Sequence, residues 1–263
     1  MTGRDVLISL SLEFDGDWDK IMEAVRSKRV PDYKLCEQWK KKVRSRVVTM
    51  LDADYPHALR QAPKPPIVLF YYGDLSLIQD PYECVSYVGS REASDYGIKM
   101  AKTICRDLAK EGVSVVSGLA IGIDKAAAEG AYPYGRAVAV IGNGIDYCYP
   151  TEHSKLQKEI GTKGLVISEY PNRVKPDPKH FPMRNRIIAA LSQLTVVGEA
   201  GERSGTMITV GQALSIGRDV CCIPQPADKH SFCNILIQEG ASLVQNADDV
   251  LYLLGYAKKK PLP

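Results

Sequence analysis

The chain has 263 residues, of which 45% are apolar and 25% charged, and its formal net charge is +3. That length holds one α/β domain with a small addition, and the composition excludes a low-complexity chain, a membrane-spanning one and a polycation that grips nucleic acid by bulk charge. The opening Met1-Thr2-Gly3-Arg4-Asp5 lacks the basic-then-apolar pattern of a secretory signal, so a cytoplasmic location and no membrane partner are expected.

In chain order, residues 1–46 are rich in charge and predict a small helical appendage. Helices are expected over Asp17–Ser27, with Trp18, Ile21, Met22 and Val25 on one face, and over Asp32–Val43, with Leu35, Cys36 and Trp39 on one side. Residues 47–255 read as one unit. Val47–Leu51 and Ile67–Tyr72 are strands joined through the stiff Pro63-Lys64-Pro65-Pro66. From residue 84 strands alternate with helices. The expected strands are Cys84–Val88, Val113–Ser117, Ala137–Ile141, Leu165–Ser168, Leu194–Gly198 and Asp219–Ile223. Helices follow to about Lys110, from Asp124, over Glu152–Ile160, Met183–Leu191, from Gly205, and over Phe232–Gln238. The strands are apolar without period-two alternation, so both faces are buried, and alternation with helices makes the pairing parallel. The fold class is therefore α/β, an extended Rossmann-like, doubly wound, mostly parallel sheet. Residues 256–263 read as a frayed tail.

The seven cysteines include no CxxC spacing. Cys84, Cys105, Cys221 and Cys222 sit in apolar stretches and read as small buried hydrophobes in a reducing compartment, so neither a disulfide framework nor a metal is expected.

In an open α/β sheet ligands lie beyond the C-terminal strand ends. Five loops there carry glycines or donors. Gly89-Ser90-Arg91 offers close backbone approach, a hydroxyl and a guanidinium for an oxyanion. Ser117-Gly118 opens a second glycine loop, in which Asp124 is placed to cap the next helix; no GxGxxG with a distant acid occurs, so NAD is not expected as a cofactor. Gly142-Asn143-Gly144 is a third turn. The fourth loop is basic: Arg173, Lys175, Lys179, Arg184 and Arg186, with Asn185 and Phe181, combine cations with an aromatic face, which is what a single strand requires. The fifth runs from Glu199, for which packing or capping is expected, through Glu202 and Arg203 to Ser204-Gly205-Thr206, the start of a helix.

These loops carry a resemblance. Val88-Gly-Ser-Arg91, Ser117–Asp124, Gly142–Pro150, Ser168–Pro171, His180–Ser192 and Glu199–Thr209 closely resemble, in order, the motifs of the DNA-processing protein A (DprA/Smf) family, over about residues 47–255. The resemblance implies a protein without enzymatic activity or cofactor that binds single-stranded DNA, protects incoming strands in natural transformation and helps load the RecA recombinase as a homodimer. Carried over by motif, Ser90 and Arg91 hold phosphate, Arg184, Asn185 and Arg186 line the same groove, Phe181 stacks on or supports a base, and Gly205 and Thr206 close it. The chain departs from the family at Ala128, where a histidine is usual, at Pro178, where a lysine is common and Lys175 or Lys179 stands in, and at Pro224-Gln225-Pro226. Its N-terminal part is shorter than the family's helical domain, and no winged helix is expected after Leu254. A nucleotide or phosphoribosyl hydrolase of related fold is the alternative, but its Pro-Gly-Gly-x-Gly-Thr stretch is absent and only four histidines occur. An inert scaffold is the third reading.

Overall fold

The computed structural model describes residues 2–41, 43–201, 204–229 and 231–256. The expected tail beyond Tyr256, and Glu202 and Arg203 of the fifth loop, lie outside the described residues.

Three helices come first: α1 (Gly3–Glu13), α2 (Trp18–Arg26) and α3 (Tyr33–Lys40). The side chains of Leu35, Cys36 and Trp39, expected along one side of α3, lie outside the described part. α1 was not expected. Its Leu-Ile-Ser-Leu-Ser-Leu stretch has a strand-like alternation, yet a capping box decides the local structure: Thr2 accepts from the Asp5 N–H at 3.2 Å while the Thr2 N–H donates to the Asp5 carboxylate at 3.0 Å. Leu7, Ile8, Leu10 and Leu12 of α1 and Ile21 of α2 join the hydrophobic cluster on one face of the sheet.

Among the described residues the sheet has nine strands: β1 (Arg46–Thr49), β2 (Val68–Gly73), β3 (Cys84–Val88), β4 (Ser114–Ser117), β5 (Ala137–Ile141), β6 (Leu165–Ser168), β7 (Leu194–Val197), β8 (Asp219–Cys222) and β9 (Ser242–Leu243). The order is β1-β2-β6-β5-β4-β3-β7-β8-β9. β1 and β2 are antiparallel at one edge, and every pairing from β6 to β9 is parallel. The remaining helices are α4 (Asp95–Lys110), α5 (Ile123–Ala131), α6 (Ser154–Lys163), α7 (His180–Leu191), α8 (Thr206–Ser215), α9 (Phe232–Gln238) and α10 (Ala247–Leu253).

Burial on both faces explains the apolar runs. Along β5, Ala137, Ala139 and Ile141 enter one core cluster while Val138 and Val140 enter the other. The first core packs under α1, α2, α4, α5, α6 and α10, the second under α7, α8 and α9. A fully buried Val, Leu or Ile contributes about 1.5–3 kcal/mol, so two filled faces hold the sheet. Cys84, Cys105, Cys221 and Cys222 are fully buried and unbridged. No described helix is long and apolar enough to cross a membrane.

The chain runs outward from β3 through β4 and β5 to β6, then returns to place β7 on the other side of β3. The direction of winding reverses between β3 and β7, which is where a doubly wound sheet opens a crevice at its C-terminal edge.

Candidate nucleic-acid interface

A cleft of about 690 Å³ lies at that reversal. Gly89, Ser90 and Arg91 reach it from β3, Gly201, Ser204, Gly205 and Thr206 from β7, and Phe181, Arg184 and Asn185 from α7. Nine of the residues proposed from sequence thus meet in one place: Gly89, Ser90, Arg91, Phe181, Arg184, Asn185, Ser204, Gly205 and Thr206.

Arg184 is its fixed cation. The residue is 5% exposed. Its Nη1 donates to the Gly118 carbonyl at 2.6 Å and to the Val140 carbonyl, and its Nε donates to Asn185 Oδ1 at 3.1 Å. Burial pushes its pKa down to about 10, Asp124 works to hold the charge, and Arg91 opposes it. The guanidinium therefore remains charged at neutral pH. Among the described residues it forms no contact ion pair, and Asp124 is the carboxylate that supports its charge. Asp124 is buried beside it; burial raises its carboxyl pKa, while Arg184 and the N–H groups of Ala120, Gly118 and Gly89 lower it. The expected helix cap is corrected here. Gly122 occupies the N-cap position of α5, and Asp124 lies in the first turn, where it folds back to accept from the Gly118 N–H at 3.1 Å.

Arg91 is the exposed counterpart, and among the described residues no carboxylate pairs with it. Its guanidinium sits 5.9 Å from the Phe181 ring centroid, and the Phe181 ring lies 5.5 Å from Tyr149 at 35°. Tyr149, 48% exposed, lines the same cleft. Sequence reasoning omitted it; its adjacency to the third glycine turn was the signal. Cation and ring faces together suit a phosphate and an adjoining base.

The remaining donors are partly committed. Ser90 gives its N–H to the Glu199 carbonyl at 2.7 Å and its hydroxyl to the Glu92 carbonyl at 3.2 Å. Ser204 Oγ accepts from the Thr206 N–H at 3.1 Å and donates to Thr206 Oγ1 at 2.7 Å. Glu199 accepts from the Ser94 N–H and hydroxyl at 3.1 and 2.7 Å, which fixes the start of α4 and matches the expected capping role.

Seven proposed residues lie elsewhere. Arg186 points away from the cleft into a buried ion pair, its Nη2 donating to both Glu169 carboxylate oxygens at 2.6 and 2.8 Å, while its Nε donates to the Lys64 carbonyl. Its side chain is 3% exposed. Two positions along a helix turn a side chain by roughly 200°, which puts Arg184 and Arg186 on opposite flanks. Ser117 is buried at the end of β4. At Gly118, Gly142 and Gly144 the space a side chain would take is filled by protein atoms. A Cβ at Gly118 would collide with the Arg184 guanidinium, and one at Gly142 would stand 3.0 Å from Phe181. One at Gly144 would run into the Pro171 and Asn172 carbonyls. Lys175 and Lys179 line a neighbouring cleft of about 510 Å³ with residues 14–20. Of the other basic-loop cations, Arg173 is tied to Asp15 at 2.8 Å and to the Leu12 carbonyl at 2.6 Å.

The fold and this cleft define a class: a doubly wound α/β protein that gathers cations and aromatic faces at the winding reversal. The family of DNA recombination-mediator protein A matches over residues 46–255, and the chain belongs to that family. It is 44% identical to the DNA processing protein DprA of Streptococcus pneumoniae over 206 residues, 77% of this chain and 72% of that one. It is 36% identical to protein Smf of Synechocystis over 250 residues, 92% of this chain but 63% of that protein. The X-ray structure of the pneumococcal DprA superposes with a TM-score of 0.78 at 37% identity, covering 94% of this chain and 92% of that one. Helicobacter pylori DprA, whose structure describes a single-stranded DNA binding mode, gives a TM-score of 0.73 at 30% identity, with 81% and 97% covered.

Proposed function

We propose that this chain binds single-stranded DNA in the switch-point cleft and acts in recombination without chemistry of its own. The observation that carries the reading is convergence. Arg91 from the β3 loop and Arg184 and Phe181 from α7 line one cleft with the aromatic face of Tyr149. Phosphate contacts supply affinity without sequence choice, and ring faces accept any base. Two acids at the cleft, Asp124 and Glu199, are engaged by the Gly118 N–H and by Ser94, which speaks against either as a general base.

Following the family, the bound strand is protected and passed to a RecA-class recombinase, and the protein pairs with a second copy. The edge carrying β9 offers exposed Leu214, Leu243 and Leu253 for that pairing. The domain reading, a helical appendage over 1–46 and a DNA-binding unit over 47–255, is part of the same proposal. A salt titration with single-stranded and duplex DNA of equal length tests the core of it. Affinity for the single strand exceeds that for duplex and falls steeply with salt, with a log–log slope reduced by about 0.7 in Arg91→Ala. Salt-independent binding, or equal slopes, overturns the assignment.

A further inference from the structure

Resting on the reading above, we propose that the neighbouring cleft is a second subsite for the same single strand, reached over the first turn of α7. The two clefts share that turn. Pro178, Phe181 and Arg184 face the first, while Lys179, His180 and Met183 face the second. The helix between them is about 10–12 Å across, a span that a short run of backbone phosphates covers.

The second cleft is built in advance. Arg173 clamps the start of the basic loop to Asp15 at 2.8 Å and to the Leu12 carbonyl, so the α1–α2 turn forms the opposite wall. Asp177 accepts from the Lys179 N–H at 3.0 Å, and Pro176 and Pro178 stiffen the rest. Tyr170 and His180 stack at 4.0 Å and 22°; Tyr170 is buried behind the stack, so the half-buried rings of His180 and Trp18 are the aromatic surfaces the cleft offers.

Charge decides what this cleft would hold. Five carboxylates line it and each meets a cation: Asp15 meets Arg173, Asp17 Lys20, Asp19 Lys64, Glu169 Arg186, and Asp177 Lys179. Lys175 has no carboxylate partner among the described residues, and Lys179, 76% exposed, meets Asp177 only at 3.6 Å. Two lysines beside these aromatic surfaces, continuous with a cationic cleft, fit further phosphates and a base of one strand. They do not fit duplex DNA, whose stacked bases cannot enter.

The test compares oligothymidylates of about four and about twelve nucleotides by fluorescence anisotropy over a salt series. Lys175→Ala/Lys179→Ala lowers affinity for the longer strand alone and reduces its salt slope by about 1.4, at about 0.7 per lost contact. Lys155→Ala/Lys158→Ala, which removes the same charge from α6, leaves both strands unaffected. In a Trp39→Phe background the longer strand quenches Trp18 emission and the shorter one does not. If the Lys175/Lys179 variant binds both lengths as the parent does, or matches the α6 control, the second subsite is wrong. Weaker binding of both lengths in Arg91→Ala, with the parent's ratio between the two lengths kept, supports the first cleft separately; full binding in Arg91→Ala overturns the first cleft and not the second.

Discussion

The two flanks of α7 differ in a way that their sequence conceals. Arg184 and Arg186 stand two residues apart in a helix, both almost fully buried. On the Arg186 flank a carboxylate neutralises the guanidinium through Nη2, and Nε is tied to the Lys64 carbonyl. On the Arg184 flank the nearby carboxylate is drawn off by loop N–H groups and the guanidinium is held by carbonyls. One arginine is therefore closed off in a contact ion pair, while the other lines the cleft with its guanidinium held by carbonyls and its charge supported by Asp124 without direct contact. A count of cations in a segment says little about field; what matters is which partner reaches each one first.

The sharpest test of this contrast removes one member of the buried pair. Arg186→Leu leaves Glu169 buried without a cation and costs about 3–5 kcal/mol of folding stability, read by urea denaturation. Replacing both, as in Glu169→Leu/Arg186→Met, recovers most of that loss, and DNA affinity of the folded protein is unchanged. An equal affinity loss in this double variant and in Arg91→Ala would erase the distinction between the flanks. On the cleft side, Arg91→Ala leaves the unfolding midpoint in place and weakens single-strand binding by about 1.5–3 kcal/mol, the scale of a charge-assisted contact. Phe181→Ala costs about 1–3 kcal/mol in binding through lost stacking.

The smallest effect concerns pH. Burial keeps the His180 imidazole neutral below its ordinary 6.5, opposed by Asp177. Its folded pKa is thus lower than its unfolded one, and the unfolded chain takes up more protons as pH falls below that value. Stability is lost through that window, so the wild-type Tm drops more than that of His180→Gln between about pH 7 and about pH 5. Parallel Tm curves would show that the Tyr170 stack does not hold the ring neutral.

Much of the frame was legible because burial on both faces writes itself as unbroken apolar runs. Cys84–Val88, Ala137–Ile141 and Leu165–Ser168 emerge with the bounds read from sequence. β9 and α1 were not read: β9 is two residues long, and α1 is set by a cap rather than by periodicity. At the site, the loops after β3 and β7 were legible because strand ends and glycines mark them. The fate of Arg186 was not, since its partner Glu169 comes from the end of β6 and only folding brings them together. Lys175 and Lys179 looked like members of the Arg91 groove because adjacency in sequence hides which side of a helix a side chain leaves.

Gly118 carries a last consequence. Because any side chain at that position would occupy the place of the Arg184 guanidinium, the arginine sits in a socket, its torsions fixed before anything arrives. An incoming anion then meets a surface that need not rearrange, and little disorder is lost on contact. Such a surface would treat successive stretches of a passing polymer alike, as the proposed role in holding a strand at any point along it requires.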